Sequence, residues 1–549
     1  MQHHIMDAEI LPLLRAGVSS LDLDPLTINS MNSEMQLLDT EAQTRAKEIA
    51  KIQSVLQRLQ QDYEDTVADL HRKQSLLSPV RRLPSDMLLH IFSLAADDIE
   101  LCLSSPPFIF RSVCYTWRVL VLSSPTLWSK VNITIPKSSW DTSKAYNMRT
   151  RTPLHTAFYL SGNCPLNMSI KDSLNTYETL VSMTECIAPT SDRWKSLYLH
   201  VQNSASILSL SNISGRLPLL ESLDFAFYNP QPRKHLDETL SRLFCSVPLL
   251  RTVRISGDVF CELSLPLHQL TSIHLDLQHQ QFGPSLFYDC ISQGKKLHSL
   301  TFYTRHYGPP GMQTSSEPLP EITRPNIRRL SLKYDIPQSL KYCTFPQMEQ
   351  LTLFTGSEER ESAPIICADE LAVVSECLKR STNRLRSFAV YRPMSFPAFN
   401  LIAVRFFTSL TDLVIAINVE ISTEIVQRLA ESSFIPCLLH LSLHICLPII
   451  SLFQDDSLRA MAVTRHRYGL KSLALSVLSS KCLRYSGPIV FDWSRHLLNV
   501  YKLKEAGLGV TLLIDKRDFF GDDDAVDKLT TWLKNWSRPE RHVNPYDLY

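Results

Sequence analysis

One short apolar pattern, repeated along the chain, restricts the possible folds more than any other feature. From Trp194 onward the six-residue pattern apolar-x-x-apolar-x-apolar occurs eleven times, with starts 20 to 37 residues apart and a mean spacing of about 28. The starts are Trp194, Leu220, Leu250, Leu270, Leu297, Ile327, Met348, Leu385, Leu410, Leu438 and Leu470. Alternate residues of a strand point to one face, so each occurrence predicts a strand with one buried face. A unit this short buries that face only by stacking on the next unit.

The spacing resembles that of leucine-rich repeats of the longer kind, in which each unit holds a short strand and a helix. This resemblance implies an α/β solenoid. Helical patterning predicts helices at 369–379 and 421–431, residues 164–170 are a candidate earlier strand, and residues 509–514 are a candidate last strand. Proline, glycine and charge predict surface loops at 307–325 and 356–364. The asparagine or cysteine that such repeats place three residues after the motif appears only at Asn418 and Cys446. A less regular α/β domain of unrelated strands therefore stays open.

A long amphipathic helix is predicted for residues 33–78. Neither proline nor glycine occurs from Ser33 to Leu77, and Pro79 cannot continue a helical hydrogen-bond ladder. Apolar residues recur with alternating spacings of three and four, which marks one helical seam; they are Ile49, Ile52, Leu56, Leu59, Tyr63 and Leu70. Thr66 occupies an expected apolar site. Two interpretations stay open: a homodimeric coiled coil, and a helix that packs on its own chain.

A second helix is predicted to open at Leu83-Pro84-Ser85-Asp86. Proline suits the first helical position, and an acidic residue complements the positive end of the helix. The spacing predicts one buried stripe, formed by Leu88, Ile91, Phe92 and Ala95, with Leu89 projecting away from it. An apolar residue off the core stripe is a candidate contact for another protein.

Four short motifs follow one another within residues 83–128: Leu83-Pro84, Ile91-Phe92, Val113-Cys114-x-x-Trp117 and Leu127-Trp128. Together and in this order they resemble the F-box, a three-helix module that binds the small adaptor subunit of a cullin–RING ubiquitin ligase. The resemblance implies an adaptor contact that involves Leu83, Pro84, Leu88, Leu89, Ile91, Phe92, Val113, Cys114, Trp117, Leu127 and Trp128. Trp117 and Trp128 also read as ordinary core residues of a helical hairpin, and both roles are compatible.

The interval from Phe92 to Val113 is several residues longer than in the compact form of the F-box, so we expect the middle helix to begin late. Contacts from 97–100 are not carried over from the family. A long helix before the F-box and repeats after it resemble F-box proteins of fungal type. The predicted organisation is a partly disordered leader (1–32), the amphipathic helix (33–78), the F-box (79–131), a leucine-rich-repeat-like solenoid (132–515) and a C-terminal tail (516–549).

Composition argues against catalysis and against broad electrostatic binding. The 549 residues carry 56 basic and 55 acidic side chains, a net charge of +1, so no nucleic-acid partner is expected and recognition must be local. No nucleotide-binding, hydrolase or paired-cysteine motif occurs, so we expect no catalytic residue, metal or cofactor. The acidic run 522–524 and the basic run Arg465-His466-Arg467 read as solvated surface. Thirteen scattered cysteines fit reduced, mostly buried thiols.

No secretory signal opens the sequence, and the longest apolar stretch, Cys437 to Phe453, is too short and too polar to span a bilayer. We therefore expect a cytoplasmic or nuclear protein without a membrane partner. Two functions stay open. One is the substrate-recognition subunit of an SCF-type E3 ubiquitin ligase, with a target of unknown identity on the repeats. The other is an F-box scaffold that uses the coiled coil and repeats for assembly without ubiquitin transfer.

Overall fold

The computed structural model describes most of the chain in two compact units, Met1–His90 and Ile91–Tyr549. The described residues are 15–17, 19, 25–96, 102–135, 151–172, 184–201, 204–227, 237–257, 263–277, 285–304, 320–334, 338–354, 368–381, 384–391, 396–417, 422–445, 457–477, 503–504, 507–514 and 517–518. The predicted loop at 356–364, Asn418, Cys446 and the run 522–524 lie outside them.

The first unit is dominated by helix α1, Pro25–Leu77, of 53 residues. It starts eight residues before the predicted Ser33, because Pro25 is well suited to a first helical position even though the apolar period is not yet established there. It ends two residues before Pro79, as predicted, and a 3-10 turn, Pro79–Arg82, follows. The Arg81 Nε donates to the Ser75 carbonyl at 2.7 Å across this break. Helix α2, Ser85–Ala95, then begins in the first unit and continues into the second.

The second unit starts with short helices and continues into one long sheet. Helix α3 is Pro106–Val113, helix α4 is Tyr115–Leu122, and a 3-10 turn, Pro125–Trp128, leads into the first strand. The strands are β1 Lys130–Ile135, β2 Leu166–Asp172, β3 Trp194–Val201, β4 Ser222–Phe227, β5 Thr252–Gly257, β6 Ser272–Leu277, β7 Ser299–Thr304, β8 Ile322–Thr323, β9 Arg329–Tyr334, β10 Cys343–Thr344, β11 Gln350–Phe354, β12 Ser387–Val390, β13 Asp412–Ile417, β14 His440–Ile445, β15 Ser472–Val477, β16 Gly509–Ile514 and β17 Arg517–Asp518.

Fifteen of these strands form a single sheet in the order of the sequence, and only β17 at its end is antiparallel. Each of the eleven predicted strands is confirmed and pairs in parallel with the preceding one, as in Leu413↔Leu441 and Leu441↔Leu473. The three apolar residues of every motif lie in the core and are at most 4% exposed. A chain that adds one strand beside the last is a solenoid, consistent with the leucine-rich-repeat-like prediction.

The sheet starts earlier than predicted, at Lys130. Trp128, Val131 and Ile133 fit the same six-residue pattern and are buried, so the last residue of the F-box motifs is also the first apolar residue of a strand motif. Inside the predicted loop 307–325, strand β8 pairs with β10 in a small parallel sheet. That pair is two residues long, which is too short to leave a periodic signal in the sequence.

Helices connect the strands on the other side of the core. They are α5 (151–160), α6 Ser204–Ser209, α7 Asp237–Leu243, α8 Ser285–Gln293, α9 Ala368–Arg380, α10 Phe396–Phe406, α11 Ser422–Ala430 and α12 Ser457–Arg467. The predicted helices at 369–379 and 421–431 correspond to α9 and α11 and are confirmed. Their apolar faces cover the core face of the sheet, since Val374, Ile425 and Leu429 are buried.

Four arginines tie neighbouring repeats together. The guanidinium groups of Arg193, Arg324, Arg380 and Arg465 donate to backbone carbonyls of the preceding repeat: those of Cys164, of Ile291 and Ser292, of Lys341 and Cys343, and of Leu429, Phe434 and Ile435 respectively. Several of these carbonyls belong to the last turn of a helix, where no intrahelical donor remains for them. The bonds therefore cap one repeat with a side chain from the next.

The interpretation of Arg465 as solvated surface was wrong. Its side chain is 2% exposed, and burial lowers the pKa of the guanidinium. The position lies on the inner side of α12, beside Met461 and Ala462, which are fully buried. The neighbouring Arg467 is exposed, as predicted.

Candidate protein-interaction sites

An aromatic cluster holds together the helices at the start of the second unit. The Phe92 ring stacks on Phe110 with centroids 4.4 Å apart and meets the edge of Trp117 at 4.7 Å. Phe110 and Trp117 are themselves 6.0 Å apart. Such ring contacts stabilise the cluster beyond the contribution from burial of its apolar surface. Phe92 therefore anchors the end of α2 against α3 and α4.

A second aromatic pair joins α3 to the turn that precedes β1. Trp128 is 1% exposed and meets Phe108 edge-on at 5.1 Å. Its indole Nε1 donates to the Val121 carbonyl at 2.9 Å. Since Trp128 also opens the first strand motif, the helical segment and the repeats share one core at this point.

The residues predicted to contact an adaptor divide by exposure. Leu88, Phe92, Leu127 and Trp128 are buried; Leu83, Leu89, Cys114 and Trp117 are half-buried; Pro84, Ile91 and Val113 are exposed. The prediction of a buried stripe on α2 was wrong for Ile91 and Ala95, which are exposed. The aromatic residues of α3 and α4 pack against Phe92 instead. Exposed apolar side chains on so small a helical segment are candidates for contact with another protein.

The apolar seam of α1 is exposed along its whole predicted length. Ile49, Ile52, Leu56, Leu59, Tyr63 and Leu70 are 52% to 71% exposed. The hydroxyl of Thr66, in an expected apolar site, donates to the Asp62 carbonyl at 2.7 Å within the helix. Ion pairs within the helix, such as Arg45 with Glu41, lie on its solvated faces.

The face of the sheet opposite the core carries three rows of side chains, one for each outward strand position. We call it the polar face. The first row is mostly serine and threonine, as at Ser222, Thr252 and Ser272. Aromatic and charged residues are concentrated in the second and third rows: Tyr198, Asp224, Arg254 and His274 in the second, and Lys171, His200, Asp276 and Tyr303 in the third.

Charges and rings interlock across β2 to β5. The Lys171 ammonium lies 5.4 Å from the centre of the Tyr198 ring, and Arg254 Nε is 3.9 Å from a carboxylate oxygen of Asp224. Burial raises the pKa of Asp224, while Arg254 and His200 act in the opposite direction. Burial, followed by the charge of Lys171, lowers the pKa of His200.

Two further ring pairs extend this surface. His274 meets Tyr303 edge-on at 5.1 Å, and Tyr391 lies 4.8 Å from His444. Tyr391 directly follows β12 and His444 lies in β14. These two strands are separated by β13 and are therefore about 9.6 Å apart in the sheet. Ala416 pairs with His444 between them, and its small side chain lets the rings meet above it. Burial raises the pKa of Tyr303 and Tyr391 and lowers that of His444.

Analysis of the sequence missed this surface. The outward residues nearest the start of each motif, such as Ser222, Thr252, Ser272, Arg329 and Gln350, all belong to the first row and share no chemistry. The second and third rows become visible when the residues four and six positions after each motif's first apolar residue are also aligned, since they point to the same face as the first row. Perturbed pKa values gathered on one face are a physical sign of a functional surface.

Among the described residues no three His, Cys, Asp or Glu side chains are grouped closely enough to hold a metal ion. Burial raises the pKa of Cys343 and of Cys377 to about 12, which keeps both thiols protonated. No helix among the described segments is long and apolar enough to cross a membrane.

The fold and its surfaces define a repeat protein with a long parallel sheet. Neither a protein-family model nor a curated protein matches the chain. Among solved structures, the leucine-rich repeat-containing protein LegL7 from Legionella pneumophila aligns with 66% of this chain and 95% of its own length, at 13% sequence identity and a TM-score of 0.27. A TM-score of that size does not establish a shared fold, so the solenoid is defined by the register of this chain's own strands.

Proposed function

We propose that this chain is a substrate-recognition subunit of an SCF-type cullin–RING ubiquitin ligase. Residues 83–128 bind the adaptor subunit and through it the cullin complex, and the repeat region binds a target protein. The observation that carries the proposal is the ordered set of F-box motifs in a segment whose helices are joined directly to a repeat surface. In this proposal the chain holds the target close to the other subunits of the ligase, and those subunits supply the chemistry of ubiquitin transfer.

The exposed apolar residues support an adaptor contact. Ile91, Ile109 and Val113 are 43%, 48% and 54% exposed. Aromatic packing in the helical segment uses Phe92, Phe110 and Trp117 and leaves these aliphatic side chains on the surface. Their burial in a complex would contribute about 25 cal/mol for each Å² removed from water.

Val113→Asp is expected to abolish co-purification of the adaptor with the full chain. A carboxylate there would be desolvated in an apolar contact without a partner, which costs several kcal/mol in binding free energy. The measurement is the amount of adaptor retained on the tagged protein. Folding is checked by the thermal midpoint, because an exposed position should tolerate the change.

Val119→Asp is the matched control. Val119 lies on α4, is 46% exposed, and is not among the F-box motif residues. It should retain the adaptor. If Val113→Asp also retains the adaptor, the assigned contact is refuted. If both variants lose the adaptor, the contact is not restricted to the motif residues.

For target recognition we infer that the polar face is the main surface. Tyr198, Tyr303 and Tyr391 offer large, rigid rings with hydrogen-bonding hydroxyls, the kind of side chain that dominates protein interfaces. The polar groups beside them, such as Asp224 and Arg254, would fix orientation.

A scaffold role is the second candidate, favoured by the exposed seam of α1. A seam of this length is the feature of a coiled coil, so we propose that two copies of the chain pair through 33–78. Assembly of two copies is compatible with a ligase subunit and also with a scaffold that transfers no ubiquitin. The two functions differ in whether the purified complex with adaptor and cullin ubiquitinates a bound partner.

The double variant Ile52→Lys, Leu59→Lys is expected to convert a dimer to a monomer in sedimentation equilibrium, because paired cations in the seam repel and cannot be buried. Gln57→Lys with Gln60→Lys, at exposed polar positions of the same helix, is the control with equal added charge and should stay dimeric. A monomeric unmodified chain would overturn the pairing.

A further inference from the structure

Basic side chains gather at the amino ends of the central strands, although the chain as a whole has a net charge of only +1. Each strand from β5 to β12 of the long sheet begins near the first apolar residue of its motif. Four positions lie at this end of the strand: the residue before that apolar residue, the apolar residue itself and the two residues after it. These positions hold six lysines and arginines and a single acidic residue, Glu349. The basic residues are Arg251, Lys296, Arg328, Arg329, Arg384 and Arg386. We call them the basic edge.

Backbone hydrogen bonds fix the basic edge as one surface. At this level of the sheet the Thr271 amide donates to the Arg251 carbonyl, the Arg328 amide to His298, and the Arg386 amide to Glu349, at 2.8, 2.9 and 2.8 Å. The bonds belong to a ladder that runs from strand to strand. The ladder brings residues from 251 to 386 to one border of the sheet, about 24 Å long for five strand spacings.

The side chains of the basic edge are available to a partner. All six are exposed. Arg328 pairs with Glu349 at 3.9 Å, with side chains 55% and 37% exposed, and none of the other five has an ion pair among the described residues. A solvent-exposed pair of this kind is weak and screened by salt. The cluster therefore keeps most of its positive charge.

We propose that the basic edge binds an acidic polypeptide segment of the recruited target. The inference deepens the proposed function and rests on it for the identity of the partner as a target protein. Positive side chains spaced across neighbouring strands complement an extended acidic chain, and about seven extended residues span the edge. Arginine, which supplies five of the six groups, binds carboxylates through two parallel hydrogen bonds.

A nucleic acid fits the same edge less well. The positive charge is confined to one short border, Glu349 interrupts it, and the sequence pI is about 7.6. Nucleic-acid-binding domains distribute more basic charge over a longer surface, together with aromatic groups for stacking when the strand is single.

The test measures binding of a fluorescein-labelled oligoglutamate peptide to the full chain by fluorescence anisotropy. We expect saturable binding that weakens as salt is raised. Arg328→Glu with Arg386→Glu should weaken it by at least about tenfold, since like charges would then face each other. Glu349→Gln should strengthen binding, because it removes the single opposing charge.

Lys195→Glu with Lys471→Glu is the matched control. Both residues occupy the same motif position as Arg328 and Arg386 but lie outside the basic edge, Lys195 in β3 and Lys471 directly before β15. This variant should bind the peptide within about twofold of the unmodified chain, a change of the size that remote screened charges produce. Arg328→Gln with Arg386→Gln covers the case in which the reversed charges impair folding, and it should show an intermediate loss.

The outcomes separate this inference from the ligase proposal. Absence of peptide binding, equal loss in the control, or tighter binding of a single-stranded oligodeoxythymidylate of equal charge would each overturn the acidic-segment assignment. None of the edge variants should change adaptor co-purification. If the unmodified chain retains no adaptor while Arg328→Glu with Arg386→Glu loses the peptide, the ligase role is refuted and the acidic-peptide site stands.

Discussion

Arg465→Met is expected to lower the free energy of unfolding of the repeat region around α11 and α12 by about 3 to 5 kcal/mol. The guanidinium donates to three carbonyls, those of Leu429, Phe434 and Ile435. Methionine matches much of the volume but donates nothing, and each buried acceptor left without a donor costs about 1 to 3 kcal/mol. Contributions of groups in one hydrogen-bond network are not additive, so the expected total is below the simple sum.

The turn that Arg465 holds adds to this effect. Ile435 is buried and has a φ of 53°, in the left-handed region that a β-branched residue rarely adopts. A conformation of that kind costs about 1 to 3 kcal/mol and persists only where its surroundings enforce it. Loss of the hydrogen bond from Arg465 to the Ile435 carbonyl, 3.1 Å long, removes a contact that stabilises this conformation.

Hydrogen exchange of the amides of α11, the turn and α12 is the appropriate measurement, together with the thermal midpoint, because a long repeat array need not unfold in one step. Arg467→Met, at an exposed position two residues away on the same helix, should change stability by less than about 0.5 kcal/mol. Equal protection of these amides from hydrogen exchange in Arg465→Met and Arg467→Met would show that the contacts of Arg465 with the three carbonyls do not stabilise this repeat.

Trp128→Ala is expected to destabilise the junction between α4 and β1 by about 3 to 5 kcal/mol, the range for loss of a buried tryptophan. The change removes the edge contact with Phe108, the bond to the Val121 carbonyl and the first apolar residue of the earliest strand motif. The helical segment should then open at lower urea concentration than the repeats.

Trp128→Phe separates volume from hydrogen bonding. It keeps a ring in the core but leaves the Val121 carbonyl without the indole donor, so a smaller loss of about 1 to 3 kcal/mol is expected. Tyr115→Ala, at a side chain that is 77% exposed, is the control and should be nearly neutral. Urea unfolding followed by circular dichroism orders the three variants; a Trp128→Ala midpoint equal to that of Tyr115→Ala would contradict the shared core.

Local periodicity was enough to predict much of this fold. Each six-residue motif specifies a strand and its buried face, because side-chain direction alternates residue by residue regardless of distant contacts. Pro79 determined the end of α1 for an equally local reason, the missing donor and the ring of proline. The F-box motifs indicated a helical segment between them, and its role in binding an adaptor remains a prediction.

Side chains whose surroundings come from other repeats were beyond sequence analysis. Arg465 looks like surface beside Arg467, and only the preceding repeat supplies the three carbonyls that make its burial stable. Ile91 follows the same helical period as Phe92, but only the placement of Phe110 and Trp117 decides which of the two is covered.

The same distinction between local sequence pattern and tertiary structure applies to the interaction surfaces. The sequence by itself determined the repeat, its strands and their core face, since these depend on spacing within one unit. Only the tertiary structure decided which outward residues become neighbours: the parallel register places Tyr303 beside His274 and brings Arg251 and Arg386 to one border of the sheet. The parallel register is set by hydrogen bonds between strands that are 20 or more residues apart in the chain, so the pattern within one motif does not fix it. Alignment of the motifs gives the rows only because neighbouring units stack in parallel.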